Sequence, residues 1–256
     1  MSAAVDATTA PIPRCPGRIR VGTSGWAYPH WRGPFYPADT RSGQELPRYC
    51  EWFDSVEVNL SFYRLPLPQL IAAWHDTTPP DFVFAMKAGR YITHRLKLRD
   101  AAEGLVNYIR RAVLLRTKLG PILFQLPPAL GCDLDVLEGF LDLLPRPLRF
   151  AFEFRHPSWF CDGVYELLAR HWCALTIADT PDYPIAFEVT AEFVYVRLHG
   201  HTALYQSAYS EGELEQWAAR AREWSATGRD VYVYFDNDFL ARAPRDALRL
   251  RAILGQ

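Results

Sequence analysis

The stretch FVYVRLH at residues 193–199 contains the pattern that decides the fold class. Successive side chains of a β-strand point to opposite faces, so this stretch has one apolar face and one face that becomes more polar toward its carboxyl end. Covering helices bury an apolar face, and the polar face then points into the middle of a closed sheet. The apolar face consists of Val194, Val196 and Leu198, and the other face of Tyr195, Arg197 and His199.

Seven further stretches of this kind occur along the chain, and helix-patterned segments separate most of them. Strands are predicted over residues 19–23, 55–59, 82–87, 121–126, 149–155, 174–179, 193–199 and 231–236. Helices are predicted over residues 46–53, 66–74, 99–119, 133–144, 162–172, 211–227 and 244–254. This alternation over 256 residues predicts an α/β fold: a TIM-like (β/α) barrel of about eight parallel strands, with one crossover, after the sixth strand, lacking a full helix.

A doubly wound open sheet is the alternative architecture. Neither GxGxxG nor GxxxxGK[ST] follows the first predicted strand, so the common nucleotide-binding versions of that fold lose support. We expect a single TIM-like barrel domain over residues 18–256 and a flexible N-terminal tail at residues 1–17. The tail is rich in proline and small residues, and it lacks the apolar segment of a signal peptide.

The composition excludes several classes of protein. Lysine plus arginine number 28 and aspartate plus glutamate 29, so the formal charge of −1 gives no general attraction to nucleic acid or to anionic membranes. Hydrophobic residues make up 49% and charged residues 22%, which excludes disorder through lack of a core. No apolar run is long enough to span a bilayer, and the five cysteines form no CxxC motif. These features predict a cytoplasmic protein with reduced thiols and no membrane contact.

Eight charged residues follow the inward faces of the predicted strands toward their carboxyl ends. Active sites of (β/α) barrels lie at that end, and an unpaired buried charge is unfavourable, so this convergence predicts a functional pocket. Salt bridges that fill the barrel, with Glu57 or Glu153 against Arg155 or Arg197, are the structural alternative. The eight residues are Glu57, Lys87, Glu153, Arg155, Asp179, Arg197, His199 and Asp236.

The residue types at this predicted mouth favour acid/base chemistry on an anionic substrate. Two carboxylates on non-adjacent strands can serve as general acid and base, and an imidazole titrates near neutrality and can carry a proton between them. Lysine and arginine side chains bind phosphate or carboxylate through charge-assisted hydrogen bonds. The predicted catalytic residues are Glu57, Glu153, Asp179 and His199, and the predicted anion clamp is Lys87, Arg155 and Arg197.

Eight motifs, in chain order, carry a resemblance to a known family. They are GTSGWAYPHWRGPFYP at 22–37, VEVNLSFYRLP at 56–66, MKAGRYITHRLKL at 86–98, ILFQLPP at 122–128, FEFRHPSW at 152–159, IADTPDYP at 177–184, VRLHG at 196–200 and VYFDND at 233–238. The chain resembles the YecE-like family, which is the domain-of-unknown-function family numbered 72. That resemblance implies a TIM-like barrel and supplies no reaction.

The resemblance also adds polar and aromatic positions to the expected substrate-binding set. With the predicted clamp, the set is Trp26, Asn59, Tyr63, Lys87, Arg155, His156, Arg197, Asp236 and Asn237. One departure is visible, because the family often has Phe-Asn-Asn where this chain has Phe235-Asp236-Asn237. The change adds a carboxylate where an amide is common.

Three functional readings stay open from the sequence. The first is an enzyme, of hydrolase or isomerase/lyase type, that uses acid/base chemistry on a small or locally docked anionic substrate at the barrel mouth. The second is a metal-dependent hydrolase of phosphoesters or sugars, since carboxylates and imidazole can hold a divalent cation. The third is a non-catalytic module that binds a ligand or, less favoured, nucleic acid. No cofactor and no metal ligands are predicted, although a divalent metal stays possible, and the oligomeric state is left open.

Overall fold

Eight parallel strands form the centre of the structure, which is a computed structural model describing residues 15–256. Most of the predicted tail, residues 1–14, lies outside the described residues. The strands run in the order β1-β8-β7-β6-β5-β4-β3-β2, which confirms the predicted barrel. Their bounds are β1 (Ile19–Thr23), β2 (Ser55–Val58), β3 (Val83–Lys87), β4 (Leu119–Gln125), β5 (Phe150–Glu153), β6 (Ala174–Asp179), β7 (Phe193–Leu198) and β8 (Asp230–Phe235).

Eight α-helices lie in the described part of the chain, mostly between consecutive strands. They are α1 (Glu45–Tyr49), α2 (Leu60–Tyr63), α3 (Pro68–Thr77), α4 (Ala102–Ala112), α5 (Leu134–Leu141), α6 (Asp162–Arg170), α7 (Glu211–Ala226) and α8 (Arg242–Leu254). Short 3₁₀ turns at Pro29–Trp31, Val113–Lys118, Pro157–Trp159 and Phe239–Ala241 and a π-turn at Tyr91–Arg95 complete the order. Residues 180–192, all described, contain no helix, which confirms the incomplete crossover between β6 and β7.

The helix predicted over residues 99–119 is wrong at both ends. Its α-helical part is only α4, and the chain continues as the 3₁₀ turn Val113–Lys118 before β4 begins at Leu119. Arg116 has a φ of 52°, a conformation that cannot continue a right-handed helix. The apolar spacing extends past this point because Leu115 packs into the core beside the helix, so periodicity alone did not mark the end.

The barrel closes between β1 and β2 through a few specific contacts. Ser24 and Glu57 form a single parallel bridge, and the Gly25 amide donates to the Glu57 carbonyl at 2.7 Å. The Tyr49 hydroxyl accepts from the Thr23 amide at 2.9 Å and donates to the Ser55 carbonyl at 3.1 Å, so a side chain spans the seam. Because the sheet is closed in this way, the carboxyl ends of β1 and β2 lie at the same mouth as those of the other six strands.

The strand alternation predicted from the sequence holds around the barrel. Val194, Val196 and Leu198 of β7 belong to the core beneath the helices, whereas Tyr195 and Arg197 point inward. The amino-terminal half of the interior is filled by a separate cluster of small and aromatic side chains that includes Ala85, Leu123, Ala151 and Tyr234. The charged side chains Glu57, Glu153 and Arg197 therefore lie beyond this cluster, in the carboxyl half of the interior. No helix within the described residues has both the length and the apolar character needed to cross a membrane.

Candidate site at the carboxyl mouth of the barrel

A fully buried arginine organises the centre of the barrel mouth. Arg197 has no exposed surface, and it pairs with three carboxylates. It donates to Glu57 through Nε–Oε2 at 3.0 Å and Nη2–Oε1 at 2.8 Å, to Glu153 through Nη1–Oε2 at 2.6 Å, and to Asp236 through Nη2–Oδ2 at 2.9 Å. Although burial opposes the charge, Glu153 and Glu57 raise the pKa of Arg197 well above its usual range. We call these four residues the arginine–carboxylate cluster.

Further hydrogen bonds hold the carboxylates of this cluster in place. Glu57 also accepts from the Tyr195 hydroxyl at 2.7 Å and from Ser24 Oγ, and Glu153 accepts from Arg155 Nε at 2.8 Å. Burial disfavours the charge on Glu153, but Arg197 and Arg155 hold the pKa of its carboxyl well below its usual range. Glu153 is therefore a stable carboxylate at neutral pH and a weak base.

This geometry changes the roles predicted for Arg197, Glu57 and Glu153. A guanidinium has five N–H groups, and those of Arg197 face six acceptors, which leaves none to clamp a substrate anion. Glu57 and Glu153 are buried and their carboxylates are held by Arg197, with Arg155 also bonded to Glu153, so neither is free to take a proton from a substrate. The salt-bridge alternative thus describes the deepest layer of the mouth. In this layer, Arg197 does not act as an anion clamp, and Glu57 and Glu153 do not act as an acid/base pair.

His199 lies at the edge of the cluster with one ring nitrogen unpaired. Its Nε2 accepts from Arg197 Nη1 at 3.3 Å, and because a guanidinium can only donate, the neutral ring carries its proton on Nδ1. Nδ1 lies 3.1 Å from Asp236 Oδ2 without the alignment of a hydrogen bond, and it has no other partner in the described part of the chain. Although burial opposes it, Arg197 and then His199 lower the pKa of Asp236 to about 2. An ionised carboxylate thus faces the imidazole proton.

Cationic side chains form the outer layer of the mouth on the side of β3 and β5. Lys87 is 9% exposed, and its Nζ lies 4.5 Å from the centre of the Phe62 ring. This ammonium group makes no ion pair or hydrogen bond within residues 15–256, whereas the Lys87 carbonyl accepts from Ser61 and Tyr108. Burial, followed by the charge of Arg197, lowers the pKa of Lys87 to about 8. Burial, followed by Lys87 and Arg155, also lowers the pKa of His94. This layer therefore contains the cationic groups of the mouth that lie nearest to solvent.

Three predicted site residues lie outside the arginine–carboxylate cluster and its cationic rim. Asp179 pairs with His201 through Oδ1–Nδ1 at 3.0 Å, and His156 caps a 3₁₀ turn through Ser158. Asn237 is fully buried and donates to Asp246 at 2.8 Å, which ties the end of β8 to α8. The contacts of His156 and Asn237 stabilise loops, so we leave these two out of the site.

Three other predicted residues surround a cavity beside the cluster. Trp26, Asn59 and Tyr63 line a space of about 300 Å³ at the start of the loops after β1 and β2. Asn59 Nδ2 donates to Ser24 Oγ at 3.0 Å, which links this cavity to the hydrogen bonds of Arg197. The Tyr63 side chain is 72% exposed at the rim. The cavity is at the small end of the range for ligand sites, and it has room for the remainder of a small substrate.

Sequence reasoning missed several residues that complete the site. Tyr195 lies on the inward face of β7 according to the strand alternation, so a hydrogen bond from its hydroxyl to a polar group inside the barrel could have been predicted; its partner is Glu57. Tyr205 contacts His199 edge-on with ring centres 5.4 Å apart, and its hydroxyl accepts from Arg155 at 3.3 Å. Phe62 makes a cation–π contact with the Lys87 ammonium group. Tyr205 and Phe62 lie outside the strands, where no periodic pattern marks the direction of a side chain.

The donor set does not fit a metal ion. Within residues 15–256, no three His, Cys, Asp or Glu side chains are grouped so that they could hold one. The carboxylates of the mouth face Arg197, which occupies the position between them that a cation would need. The metal-dependent hydrolase thus has no supporting site in the described residues.

Comparison with known proteins places the chain among relatives without an assigned activity. The family described as "Protein of unknown function DUF72" matches residues 20–256. UPF0759 protein YecE of Escherichia coli K12 is 32% identical over 150 residues, which is 58% of this chain and 52% of YecE. The chain thus spans about half the length of that curated relative. UPF0759 protein YunF of Bacillus subtilis 168 is 27% identical over 255 residues, covering 86% of this chain and 89% of YunF.

Solved structures share the architecture. A DUF72 family protein from Thermotoga maritima MSB8 superposes with a TM-score of 0.85 at 29% identity, covering 93% of this chain and 100% of that one. A DUF72 family protein from Enterococcus faecalis V583 superposes with a TM-score of 0.80 at 21% identity, covering 93% and 96%. The second likeness concerns the fold alone.

Proposed function

Since this chain belongs to the DUF72 family of proteins of unknown function, we propose its activity from the geometry of the barrel mouth. Membership confirms the resemblance seen in the motifs, and it brings no reaction with it. We infer an enzyme that uses acid/base chemistry on a small anionic substrate at the carboxyl end of the barrel.

The observation that carries this proposal is that the Lys87 ammonium group forms no ion pair with any described residue. An ammonium that is removed from water needs a nearby negative charge, and the carboxylates of the mouth are committed to Arg197 and Arg155. Lys87 is 9% exposed, and its charge and that of Arg155 both act on His94. The Lys87 ammonium group therefore lacks a paired carboxylate within residues 15–256, and a phosphate or carboxylate of the substrate supplies it.

Proton transfer is assigned to the opposite side of the mouth. His199 and Asp236 lie at the ends of β7 and β8, across the barrel from Lys87 on β3. His199 is 1% exposed, and its Nδ1 lies 3.1 Å from Asp236 Oδ2 without the alignment of a hydrogen bond, so a movement on substrate binding has to bring this proton to a reacting atom. A substrate anion held by the cations then places the rest of the molecule near the imidazole.

The alternative of a nucleic-acid module has weaker support. The cationic groups assigned to the site, Lys87, Arg155 and Arg197, are at most about a tenth exposed, whereas tracking a polyanion requires a stripe of exposed lysines and arginines. The formal charge of −1 adds no long-range attraction. A single phosphate group fits this arrangement better than a chain of them.

Binding of inorganic phosphate tests the anion site. We expect titration calorimetry to show phosphate binding to the wild-type protein and about a tenfold or greater loss of affinity in Lys87→Met, because a charge-assisted contact is removed. Lys97→Met is the matched control, since Lys97 is exposed to solvent, and it should bind as the wild type does. Equal affinities of the two variants would contradict the anion site.

Solvent exchange tests the acid/base step. In heavy water, we expect the protein to exchange a carbon-bound hydrogen in at least one member of a panel of small hydroxy acids, keto acids and their phosphate esters, followed by NMR. His199→Gln should slow that exchange about a hundredfold or more, whereas His75→Gln, on α3 at the outside of the barrel, should not. Exchange that persists unchanged in His199→Gln would remove His199 from the mechanism.

A further inference from the structure

Lys87 differs from the other two lysines of the chain in its surroundings. The sequence contains lysine only at positions 87, 97 and 118. Lys118 is buried but satisfied, because its ammonium group donates to the Thr78 carbonyl at 2.7 Å and to the Thr78 hydroxyl at 3.0 Å. Lys97 is exposed to solvent. Lys87 combines burial with the lack of any acceptor in the described part of the chain, so its amine is not held by a structural contact.

Burial is the main effect that favours the neutral form of the Lys87 amine. The Phe62 ring, whose centre lies 4.5 Å from Nζ, covers one side of the amine and contributes to that burial, although its face also attracts the ammonium form. The positive charge of Arg197 also favours the neutral amine, while the charges of Glu153, Asp236 and Glu57 partly oppose this effect. Loss of a proton from Lys87 relieves both the burial of charge and the repulsion between cations, which is how buried lysines become nucleophiles.

A proton acceptor contacts the same aromatic ring as this amine. The His94 ring contacts the same Phe62 ring edge-on, with the ring centres 5.0 Å apart, so Lys87 and His94 flank one aromatic side chain. His94 Nδ1 lies 2.9 Å from Thr93 Oγ1, which fixes the ring in this position. The low pKa of His94 keeps it neutral, and a neutral imidazole can take a proton from an ammonium group.

Resting on the proposed function, we propose that Lys87 forms an imine with the carbonyl carbon of an aldehyde or ketone substrate that also carries an anionic group. The neutral Lys87 amine attacks the carbonyl carbon, a C–N bond forms, and the carbonyl oxygen gains a proton to give a carbinolamine. The carbinolamine hydroxyl then takes a second proton and leaves as water, while the nitrogen lone pair forms the C=N bond. Overall, the ammonium group and the carbonyl compound give a protonated imine and one water molecule.

The other groups of the mouth complete this assignment. With Lys87 as the nucleophile, Arg155 holds the anionic group of the substrate, since its side chain is 10% exposed and reaches the rim. His94 accepts the proton that Lys87 releases. His199 transfers a proton to or from the carbon next to the imine. A positively charged imine withdraws electrons from that carbon, which explains why an acid/base residue lies across the mouth from a lysine.

Reductive trapping tests the proposal on the wild-type protein with its own lysines as controls. The full chain is incubated with sodium cyanoborohydride and one of two probes, either glyoxylate, an anionic aldehyde, or formaldehyde, a neutral one. Peptide mass mapping then gives the extent of alkylation at each of the three lysines. We expect glyoxylate to label Lys87 at least about tenfold faster than the exposed Lys97, and to leave the satisfied Lys118 unlabelled.

The two probes separate failure of this inference from failure of the proposed function. Faster labelling of Lys87 by both probes, with glyoxylate ahead of formaldehyde, supports the imine and the anion site together. Labelling of Lys87 that is no faster than that of Lys97 with either probe, in a protein that binds phosphate, overturns the imine and leaves the anion site in place. Preferential labelling of Lys87 by formaldehyde alone keeps the reactive amine and overturns the anionic substrate.

Discussion

Replacing Arg197 by methionine should destabilise the protein by about 4 kcal/mol or more, a larger effect than any surface substitution produces. The variant leaves Glu57, Glu153 and Asp236 within a few ångströms of each other without the guanidinium that now neutralises them. Methionine fills much of the same volume, so the loss reports unpaired charge more than missing contacts. Urea unfolding followed by circular dichroism measures the change in the free energy of unfolding.

Two controls identify the cause of that loss. Arg48→Met removes an exposed ion pair with Glu51 on α1 and should cost less than about 1 kcal/mol. Adding Glu153→Gln to Arg197→Met should recover part of the stability, because it removes one of the uncompensated charges. If Arg197→Met alone lost under about 1 kcal/mol, the arginine–carboxylate cluster would not be a structural element of the barrel.

The effect of Arg197→Met should also depend on pH. Arg197 lowers the pKa of Asp236 from its ordinary value of 3.8 to about 2, and a lowered folded-state pKa stabilises the protein above the unfolded-state value. That stabilisation is present at neutral pH and is lost as the pH falls from about 4 to about 2. The difference in stability between wild type and variant should therefore shrink in this window. A difference that stays constant would show that the loss comes from packing.

Replacing Gly22 by alanine should open the seam of the barrel and destabilise it by about 3 kcal/mol. A Cβ atom at this position would lie 2.1 Å from the Ser55 carbonyl oxygen and 3.0 Å from the Tyr49 hydroxyl. Both contacts belong to the junction between β1 and β2, and a backbone atom cannot move aside as a flexible side chain can. We expect unfolding at lower urea concentration and faster hydrogen exchange at the Thr23 and Gly25 amides, which are bonded across the seam.

Gly139→Ala is the matched control for this prediction, and it should change the free energy of unfolding in the opposite direction. Gly139 lies in α5, it is exposed, and nothing is within 4 Å of the position of an added Cβ. Alanine in a helix interior is favoured over glycine by about 0.5–1 kcal/mol, so this variant should be more stable than the wild type. Equal effects of the two substitutions would contradict the role assigned to the seam.

Strand positions were predictable because each strand shows its own local pattern. All eight predicted strands coincide with observed ones to within a few residues, since period-two alternation and β-branched residues are properties of the segment itself. The connections were less predictable. The π-turn at Tyr91–Arg95 and α2 have no distinctive periodicity, and the helix over 99–119 was extended past Arg116 because apolar spacing continues into the following turn.

The sequence predicted which residues lie in the candidate site better than it predicted what each of them does there. Alternation placed Glu57, Glu153 and Arg197 on the inner face, and they do meet there. Which of them pair with each other depends on distances across the barrel, and these are set by strand tilt and register, which no single segment contains. The same limit applies to Asp179, whose partner His201 comes from the loop after β7.

By itself, the sequence determined the barrel, the inward set of polar residues and the end of the barrel at which they gather. These follow from alternation along a strand and from chain length, both of which are local or global properties of the sequence. Only the tertiary structure decided that Arg197 is saturated by three carboxylates, while the Lys87 ammonium group has no ion pair with any residue of the 15–256 range. Charge pairing is a matter of a few ångströms between residues far apart in the chain, so it is fixed only when the barrel has closed.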